Sequence, residues 1–372
     1  MNQGIFFIAV DVDDNSFHGC GINKQTGEIK EFACRPTVGH LEKKLQGFKQ
    51  GGVEVRVCYE ATYLGFSLYR DLEKRGYYCE VIAPSLIPEM PGKCVKTDRI
   101  DARKLAEYYA NGQLTKVHVP SVDEEHARDI VRSRRFMTRQ MTALKLHILS
   151  TCRRGGLHYR EGAGREKKNH WTVEHRSWLR AKLKEQKHRD LNFNLTLLLD
   201  QLDQLERQIK LYDGEIGRIA DQTAYQEKMK ALCCYRGINV LTAMTFITEL
   251  GDIKRFKHPR QLCSYAGMDL REYSSGGHEL RYGISKMGNL HIRTSAIESC
   301  QLAGRIPQVS KSLKARRQEV DGKYAKIADR CMHRLYEKSK RLLHRGKPAN
   351  KVKVACAREM LCFIWESLMA AA

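Results

Sequence analysis

The chain has 372 residues, 42% of them hydrophobic, and its 65 lysine and arginine residues against 43 aspartate and glutamate residues give a formal net charge of +22. This composition excludes an intrinsically disordered chain, which holds too few apolar residues to form a core, and no apolar run approaches the roughly 20 residues of a membrane-spanning helix. The positive charge favours nucleic acid as the partner over an anionic membrane surface.

The first 120 residues are predicted to form an α/β domain. In chain order the pattern predicts strands at 5–12, 17–22 and 28–35, a helix at 39–50, a strand at 53–59, a helix at 63–75, a strand at 78–83, a helix at 98–111 and a short strand at 115–119. Three strands in a meander, followed by strands joined through helices, predict a mixed sheet whose later strands are parallel. This order is typical of an RNase H-like core.

Residues 121–229 are predicted to be helical, with helices at 122–152 and 172–230. The Gly-rich basic loop between them, 153–170, is either a nucleic-acid contact or a linker. A coiled-coil seam would make the region a self-association element, whereas an ordinary amphipathic helix would pack on its own core. The seam is predicted by apolar residues that alternate in steps of three and four: Leu195, Leu198, Leu202, Leu205, Ile209, Tyr212, Ile216 and Ile219.

Positive charge increases along the chain. The net charge is +1 over residues 1–120, +7 over 121–230 and +14 over 231–372. This gradient predicts chemistry in the first domain and contact with a polyanion behind it. Within the last third, the stretch 303–353 has 16 basic and 4 acidic residues. It is expected to contact either RNA or DNA, unless these side chains simply solvate helices.

Four carboxylates of the first domain are candidates for a metal site. Asp11 closes the first strand and Glu60 follows the fourth. Asp98 and Asp101 lie three residues apart at a predicted helix start, so they face the same way, although Asp98 is also a candidate helix N-cap. Carboxylates that meet above one sheet edge need cations. A pair of Mg²⁺ ions about 4 Å apart, acting on a phosphodiester, is the expected occupant.

The region 230–372 begins with a predicted helix-hairpin-helix. A short helix, a turn containing Gly237 and Asn239, and a helix that ends at Gly251 would present backbone N–H groups to a phosphate. Such a hairpin binds nucleic acid without distinguishing its sequence. A plain helical hairpin is the alternative interpretation.

Two serines, Ser274 and Ser275, precede Gly276 and Gly277 further along the chain. From spacing alone a Ser-Ser-Gly-Gly segment is an ordinary turn, and no general base for a serine nucleophile can be assigned nearby. Gly276 would let backbone approach a phosphate closely. The basic residues around the segment are candidate phosphate contacts: Arg271, Arg281, Lys286 and Arg293.

The 13 cysteines are scattered and contain no Cys-x-x-Cys pair, so a disulfide framework or a structural zinc site is not expected. Residues 1–5 lack the basic segment and the cleavage site of a secretion signal. We therefore expect reduced thiols and a cytoplasmic protein with no membrane partner.

These motifs together resemble those of the DEDD transposases of insertion-sequence family 110. The resemblance extends from the first strand to about residue 300. It rests on AVDVD around Asp11, CYEAT around Glu60, KTDRIDARKLAE at 96–107, the helix-hairpin-helix, and the block SYAGMDLREYSSGG…GISKMGN. One departure is that the family's frequent Gly-Leu-x-Pro is Gly-Met-Asp-Leu at 267–270 here.

By position, the resemblance implies that Asp11, Glu60, Asp98 and Asp101 are the Mg²⁺-binding tetrad of a RuvC-like domain. It also implies that Ser275 is the catalytic serine, with Ser274 as the second choice. The implied domains are a RuvC-like catalytic domain at 1–120, a helical coiled-coil region at 121–229 for dimerisation and nucleic-acid contact, and a C-terminal transposase domain at 230–372.

The resemblance also implies an activity and partners. That family is described as RNA-guided recombinases, in which a structured guide RNA, called a bridge RNA, pairs with double-stranded donor and target DNA. The serine forms a 5′-phosphoserine intermediate, and the tetrad of one protomer works beside the serine of another. A homodimer or homotetramer in the prokaryotic cytosol or nucleoid is implied.

Two other functions are compatible with the residues themselves. A metal-dependent, structure-selective endonuclease of the junction-resolvase kind needs only the acidic tetrad and a basic surface, and it leaves free hydrolysed ends. A catalytically silent nucleic-acid-binding protein needs neither the tetrad nor the serine, so Asp11→Asn would leave its activities unchanged.

Overall fold

The computed structural model describes residues 4–49, 52–88, 98–161, 164–275, 278–318 and 320–372, and at 98, 274, 275, 278, 279 and 281 it describes the backbone only. The chain forms two compact units, Met1–Pro120 and Ser121–Ala372. In the described part of the chain, no helix has the length and apolar character needed to cross a membrane.

The first unit is a mixed sheet with helices. Its elements are β1 (Ile5–Val12), β2 (Phe17–Asn23), β3 (Ile29–Cys34), α1 (Val38–Gln46), β4 (Glu54–Glu60), α2 (Ser67–Lys74), β5 (Tyr78–Ile82) and α3 (Asp98–Ala110). The strand order is β3-β2-β1-β4-β5. β1 is antiparallel to β2 and parallel to β4, and β5 is parallel to β4. The predicted mixed sheet with parallel later strands is confirmed. The predicted strand at 115–119 is only a single bridge between Ile82 and Lys116.

The strand β1 is apolar on both faces because helices cover both sides of the sheet. On one side, Ile8 and Val10 pack in the same core as Leu41 of α1 and Leu72 of α2. On the other side, Ala9 shares a core with residues of α3. A continuous apolar run such as IFFIAVDV is what a strand covered on both faces requires.

The second unit is mostly helical. Its elements are α4 (Val122–Arg154), α5 (Val173–Glu185), α6 (Arg189–Ala220), α7 (Thr223–Cys233), α8 (Val240–Leu250), α9 (Pro259–Tyr265), β6 (Leu270–Ser275), β7 (His278–Ile284), α10 (Leu290–Ser299), α11 (Lys311–Arg316), α12 (Gly322–His344) and α13 (Ala349–Ala370). A capping box between Ser121 and Glu124 begins α4, as the sequence of a helix start favours.

The heptad residues of α6 pack inside their own chain. Leu195 and Leu202 share a core with Ile148 of α4, and Ile216 shares another core with Val131 of the same helix. Leu195, Leu202 and Ile216 are at most 1% exposed. The seam is therefore an intramolecular contact, and these side chains are not available for self-association.

A tight turn joins α7 to α8 at Gly237. Its φ of +92° lies in the region that favours glycine, and a Cβ atom there would lie 2.3 Å from the backbone oxygen of Ser299. Asn239 then caps α8, because its side chain accepts a hydrogen bond from the backbone N–H of Thr242 at 2.9 Å. Both residues thus have a structural function in the turn, whatever else the turn binds.

We expect Gly237→Ala to lower the free energy of unfolding of the second unit by about 1–3 kcal/mol, because the substitution combines backbone strain with a clash against backbone. Chemical denaturation measures the loss. Gly214→Ala is the matched control: a Cβ there meets nothing within 4 Å, and alanine favours the helix more than glycine does. Equal midpoints for the wild type and Gly237→Ala would contradict the prediction.

Candidate active site

The sheet places two of the four predicted carboxylates side by side. β1 and β4 are neighbouring parallel strands in which Val10 pairs with Tyr59. The next residue on each strand is Asp11 and Glu60, respectively. Both therefore lie at the carboxyl edge of the sheet, on adjacent strands, where the side chains of open α/β sheets commonly form binding sites.

The helix α3 covers the same face. Near its C-terminus, the Tyr109 ring packs against Phe7, close to the start of β1, at 5.4 Å between ring centroids. Near its N-terminus, Arg99 donates to Glu31, which is level with Cys20 and Ala9, further along β1. The helix therefore runs opposite to β1, and its first turn, which contains Asp101, lies towards the strand ends. Because side chains alternate along a strand, Asp11 is on the same face as Ala9.

An all-carboxylate donor set suits a hard divalent cation such as Mg²⁺, so the chemistry of these residues fits the predicted metal. The side chain of Asp98 lies outside the described residues. Among the side chains that are described, no group of three or more His, Cys, Asp or Glu residues is arranged to hold a metal ion. The tetrad therefore stays a prediction. The positions of Asp11 and Glu60 on adjacent strands, and of Asp101 on the helix that covers them, support it.

The predicted serine lies at the end of a two-stranded antiparallel hairpin, β6–β7. Ser275 is the last residue of β6, and its register partner is His278. Gly276 and Gly277 lie outside the described residues. Aromatic side chains of the hairpin face solvent: Tyr273 is 70% exposed and Tyr282 is 53% exposed. These strands were not predicted from the sequence.

The base of this hairpin is tightly built by the two sequence blocks around it. Gly267 and Gly288 have φ values of +65° and +147°, and a Cβ on Gly288 would lie 2.5 Å from the backbone oxygen of Tyr265. The backbone N–H of Lys286 donates to the backbone oxygen of Gly267 at 2.9 Å. Only glycine allows this close approach, which explains the two glycines in SYAGM and KMGN.

The four basic candidates have different environments. Arg293 is 9% exposed, and its guanidinium donates to the backbone oxygen of Ala266 at 2.7 Å. It stabilises the hairpin base from inside. Arg271 and Lys286 are exposed, as a phosphate contact requires, whereas the side chain of Arg281 lies outside the described residues.

A buried ion pair, which the sequence analysis missed, supports the same hairpin base. Glu249 of α8 is 2% exposed and accepts two hydrogen bonds from Arg132 of α4, at 2.7 and 2.9 Å. Asn289, which caps α10, donates to it at 2.7 Å. Burial opposes ionisation, but these hydrogen bonds outweigh it and hold the pKa of Glu249 below its ordinary value. In the sequence, a single carboxylate within the otherwise uncharged run VLTAMTFITEL indicates a buried charge that needs a partner.

We expect the two halves of this pair to respond unequally to substitution. The Glu249 side chain is 1% exposed and that of Arg132 is 44% exposed. Arg132→Met leaves a buried charge and should cost about 3–5 kcal/mol. Glu249→Gln leaves a guanidinium that water can reach and should cost about 1–2 kcal/mol. Urea denaturation at pH 7 measures both, and a larger loss for Glu249→Gln would contradict this account.

The pH dependence follows from the direction of the pKa shift. In the wild type the pKa of Glu249 is lowered by folding, so its contribution to stability is complete above the ordinary value of 4.5 and is lost as the pH falls through the folded value. In Arg132→Met, burial instead raises the pKa of this carboxyl. Protonation then removes the buried charge, so the stability difference between the two proteins should narrow between pH 7 and pH 5.

Two models of transposase families match this chain. A DEDD transposase model of family IS110 matches residues 8–154, which include Asp11, Glu60, Asp98 and Asp101. The model described as "Transposase IS116/IS110/IS902 family" matches residues 229–314, which include Ser275.

Curated relatives match over most of their length. The putative transposase y4qE of Sinorhizobium fredii is 34% identical over 311 residues, which is 84% of this chain and 74% of that protein. The transposase for insertion sequence element IS1111A of Coxiella burnetii is 27% identical, over 80% of this chain and 78% of that protein. The chain therefore belongs to the IS110 family of DEDD transposases, enzymes that cut and rejoin DNA.

Proposed function

We propose that this transposase is an RNA-guided serine recombinase, which joins donor and target DNA through a 5′-phosphoserine intermediate. The observation that supports the proposal is that one chain contains two sets of reactive side chains, the carboxylates and a serine. Asp11 and Glu60 stand at the edge of the sheet in the first unit, and Ser275 ends a strand of the hairpin in the second. A nuclease would need only the first set.

The proposed chemistry exchanges one phosphate ester for another. Ser275 Oγ attacks a backbone phosphorus, an Oγ–P bond forms, the bond to the 3′ oxygen breaks, and the serine proton passes through solvent to that oxygen, which leaves as a 3′ hydroxyl. A 3′ hydroxyl of the other DNA then attacks the phosphoserine and restores the serine. Because each step makes one ester bond and breaks one, rejoining needs no external energy source.

The carboxylates have a separate function in this proposal. Asp11, Glu60, Asp98 and Asp101 would hold Mg²⁺, and we propose two ions. When bound, the metal supplies positive charge to stabilise the transferring phosphate. The side chains themselves fix where that charge lies, through the rigid edge of β1 and β4 and the first turn of α3.

Guide RNA would provide the choice of DNA sequence, so the protein would need only to bind nucleic-acid backbone. Exposed cations near the C-terminus suit that task. They cluster at the end of α12 and the start of α13: Lys340, Arg341, Arg345, Lys347 and Lys351. We propose that this cluster binds phosphates of RNA or DNA, because contacts of this kind are sequence-independent.

We also propose that the active enzyme is a homodimer or homotetramer in the prokaryotic cytosol or nucleoid. Buried heptad residues of α6 pack within the chain, so this proposal does not place the interface on them. Mass measurement in solution, with and without RNA, determines the number of protomers.

A denaturing gel for a protein–DNA adduct tests the proposal. The chain is co-expressed with the non-coding sequence that flanks its gene, purified, and mixed with donor and target DNA and Mg²⁺. An adduct that forms only with the flanking sequence present, together with RNA that co-purifies, supports a guided serine recombinase. Cleaved DNA with free ends and no adduct would establish the nuclease instead.

A further inference from the structure

The second unit contains a recess that the catalytic proposal does not use. It lies where the chain leaves α4, in the basic loop of residues 153–170, and its volume is about 190 Å³. We name it the aromatic recess and define it by Arg153, Tyr159, Arg160, His170, His175 and Trp178. Rings line its interior, and its two arginines are exposed to solvent.

The interior holds a neutral histidine. His175 is 1% exposed, and its Nδ1 accepts a hydrogen bond from the backbone N–H of Trp171 at 3.0 Å. Burial lowers the pKa of His175 to about 4, with His170 and Arg176 as further causes. Because Nδ1 is an acceptor, the ring proton is on Nε2. Nε2–H is therefore a hydrogen-bond donor.

The Tyr159 hydroxyl is a second polar group in the recess. Tyr159 is 3% exposed, and its hydroxyl forms no hydrogen bond of ordinary length in the described part of the chain, although it lies near Glu174, whose pKa is lowered mainly by Lys168 and to a smaller extent by this hydroxyl. Such a group costs about 1–3 kcal/mol unless something satisfies it. Two hydrogen-bond donors inside one recess indicate a ligand with acceptor atoms.

The walls and the rim restrict that ligand further. Tyr159 lies 4.6 Å from His175 and 5.2 Å from Trp178 between ring centroids, so aromatic rings form part of the interior wall, together with polar groups. At the rim, Arg153 forms no ion pair with any described residue, and Arg160 donates only to the backbone oxygen of Lys168, at 3.1 Å. The one carboxylate of the lining, Glu161, lies 3.5 Å from His158. The recess thus suits a flat aromatic ring that is attached to an anion.

We propose that the aromatic recess binds an unpaired base of RNA, with the adjoining phosphate at Arg153 and Arg160. This inference rests on the proposed function, in which the RNA is the guide. Proteins recognise RNA mainly at unpaired bases, which stack on aromatic side chains and form hydrogen bonds through their edges. A base of duplex DNA would first have to leave the stack, at a cost of a few kcal/mol.

Tryptophan fluorescence can report on the recess in the full chain. The chain has 3 tryptophans, of which Trp178 lines the recess and Trp171 adjoins it, with its ring centroid 5.3 Å from that of His175. Trp365 belongs to the core around α13, where its ring N–H donates to the backbone oxygen of Phe256 at 2.7 Å. In Trp365→Phe, the signal therefore comes from the recess alone. The probes are a 12-nucleotide single-stranded RNA, the same sequence as single-stranded DNA, and a 12-base-pair DNA duplex.

We expect the RNA to quench this fluorescence and the DNA duplex to bind without quenching, because only a single strand presents an unpaired base. Arg153→Ala and Tyr159→Phe should each weaken the RNA-dependent quench about tenfold. Tyr159→Phe keeps the ring and removes only the hydroxyl, so it preserves the packing. Arg154→Ala is the matched control, because its guanidinium donates to the Ser150 and Thr151 hydroxyls at 2.7 and 3.1 Å.

Three results would overturn the inference: no quenching by RNA, equal quenching by single-stranded DNA, or equal effects of Arg153→Ala and Arg154→Ala. RNA that co-purifies from cells is measured on the same variants. If the full amount of RNA co-purifies with the protein while quenching is absent, the recess inference fails and the proposal of a guided recombinase stands. If quenching follows the expected pattern while no element RNA co-purifies and no adduct forms, the recess binds RNA and the guide proposal fails.

Discussion

Ser275→Ala is expected to abolish the covalent protein–DNA adduct and to lower recombination about 10³-fold or more, since a removed nucleophile leaves only binding and electrostatic contributions. No other atom at this position can form the phosphate ester. The hairpin itself should persist, because alanine is compatible with the strand end that Ser275 occupies in β6. A denaturing gel measures the adduct, and a plasmid assay measures recombination.

Ser274→Ala is the matched control for this prediction. Ser274 occupies the neighbouring register position, paired with Glu279, so its replacement perturbs the same strand without removing the proposed nucleophile. We expect the adduct to persist in this variant. The reverse pattern would make Ser274 the nucleophile, and two active variants would remove serine chemistry and favour the nuclease.

Local patterns predicted most of the first unit, but not that residues 115–119 form a single bridge instead of a strand. The apolar run at 5–12 became β1 with the same bounds, because a strand covered on both faces is recognisable from its composition. Helix ends were less accurate. The helix predicted at 39–50 ends at Gln46, where Gly47 forms its C-cap, and the helix predicted at 63–75 begins at Ser67, after Gly65 with its φ of +65°. Glycine disfavours helix interiors, so α1 ends before Gly47 and α2 begins after Gly65, inside the predicted bounds.

The second unit depends on contacts between residues far apart in the chain, which a local pattern does not contain. The spacing of the heptad residues predicted the buried face of α6, but not that the partner would be α4 of the same chain. The hairpin β6–β7 was missed because Tyr273 and Leu280 are exposed, so no apolar face marks the strands. In the candidate site, the order of the strands predicted the adjacency of Asp11 and Glu60, whereas nothing local paired Glu249 with Arg132.

Asp11→Asn is expected to abolish both strand cleavage and adduct formation, about 10³-fold or more below wild type, while nucleic-acid binding persists. The substitution keeps the volume of the side chain and removes the charge that a divalent cation requires. Asp13→Asn is the matched control two residues further on: Asp13 is exposed and accepts from the backbone N–H of Asn15 at 3.0 Å, as asparagine can also do. Full cleavage by Asp11→Asn would remove Asp11 from the proposed metal site, whereas unchanged binding with no cleavage by either protein would favour a silent nucleic-acid-binding protein.

Mixing the two inactive proteins, Asp11→Asn and Ser275→Ala, tests how the reactive sets combine. If the carboxylates of one protomer act with the serine of another, a mixed dimer contains one site with both substitutions and one site with neither. Adduct formation should then return, at up to half of the wild-type level when every assembly is mixed. If the carboxylates and the serine act within one protomer, each site of the mixture has one defect, and no adduct should form. The proposed composite site therefore predicts recovery of activity from two inactive proteins.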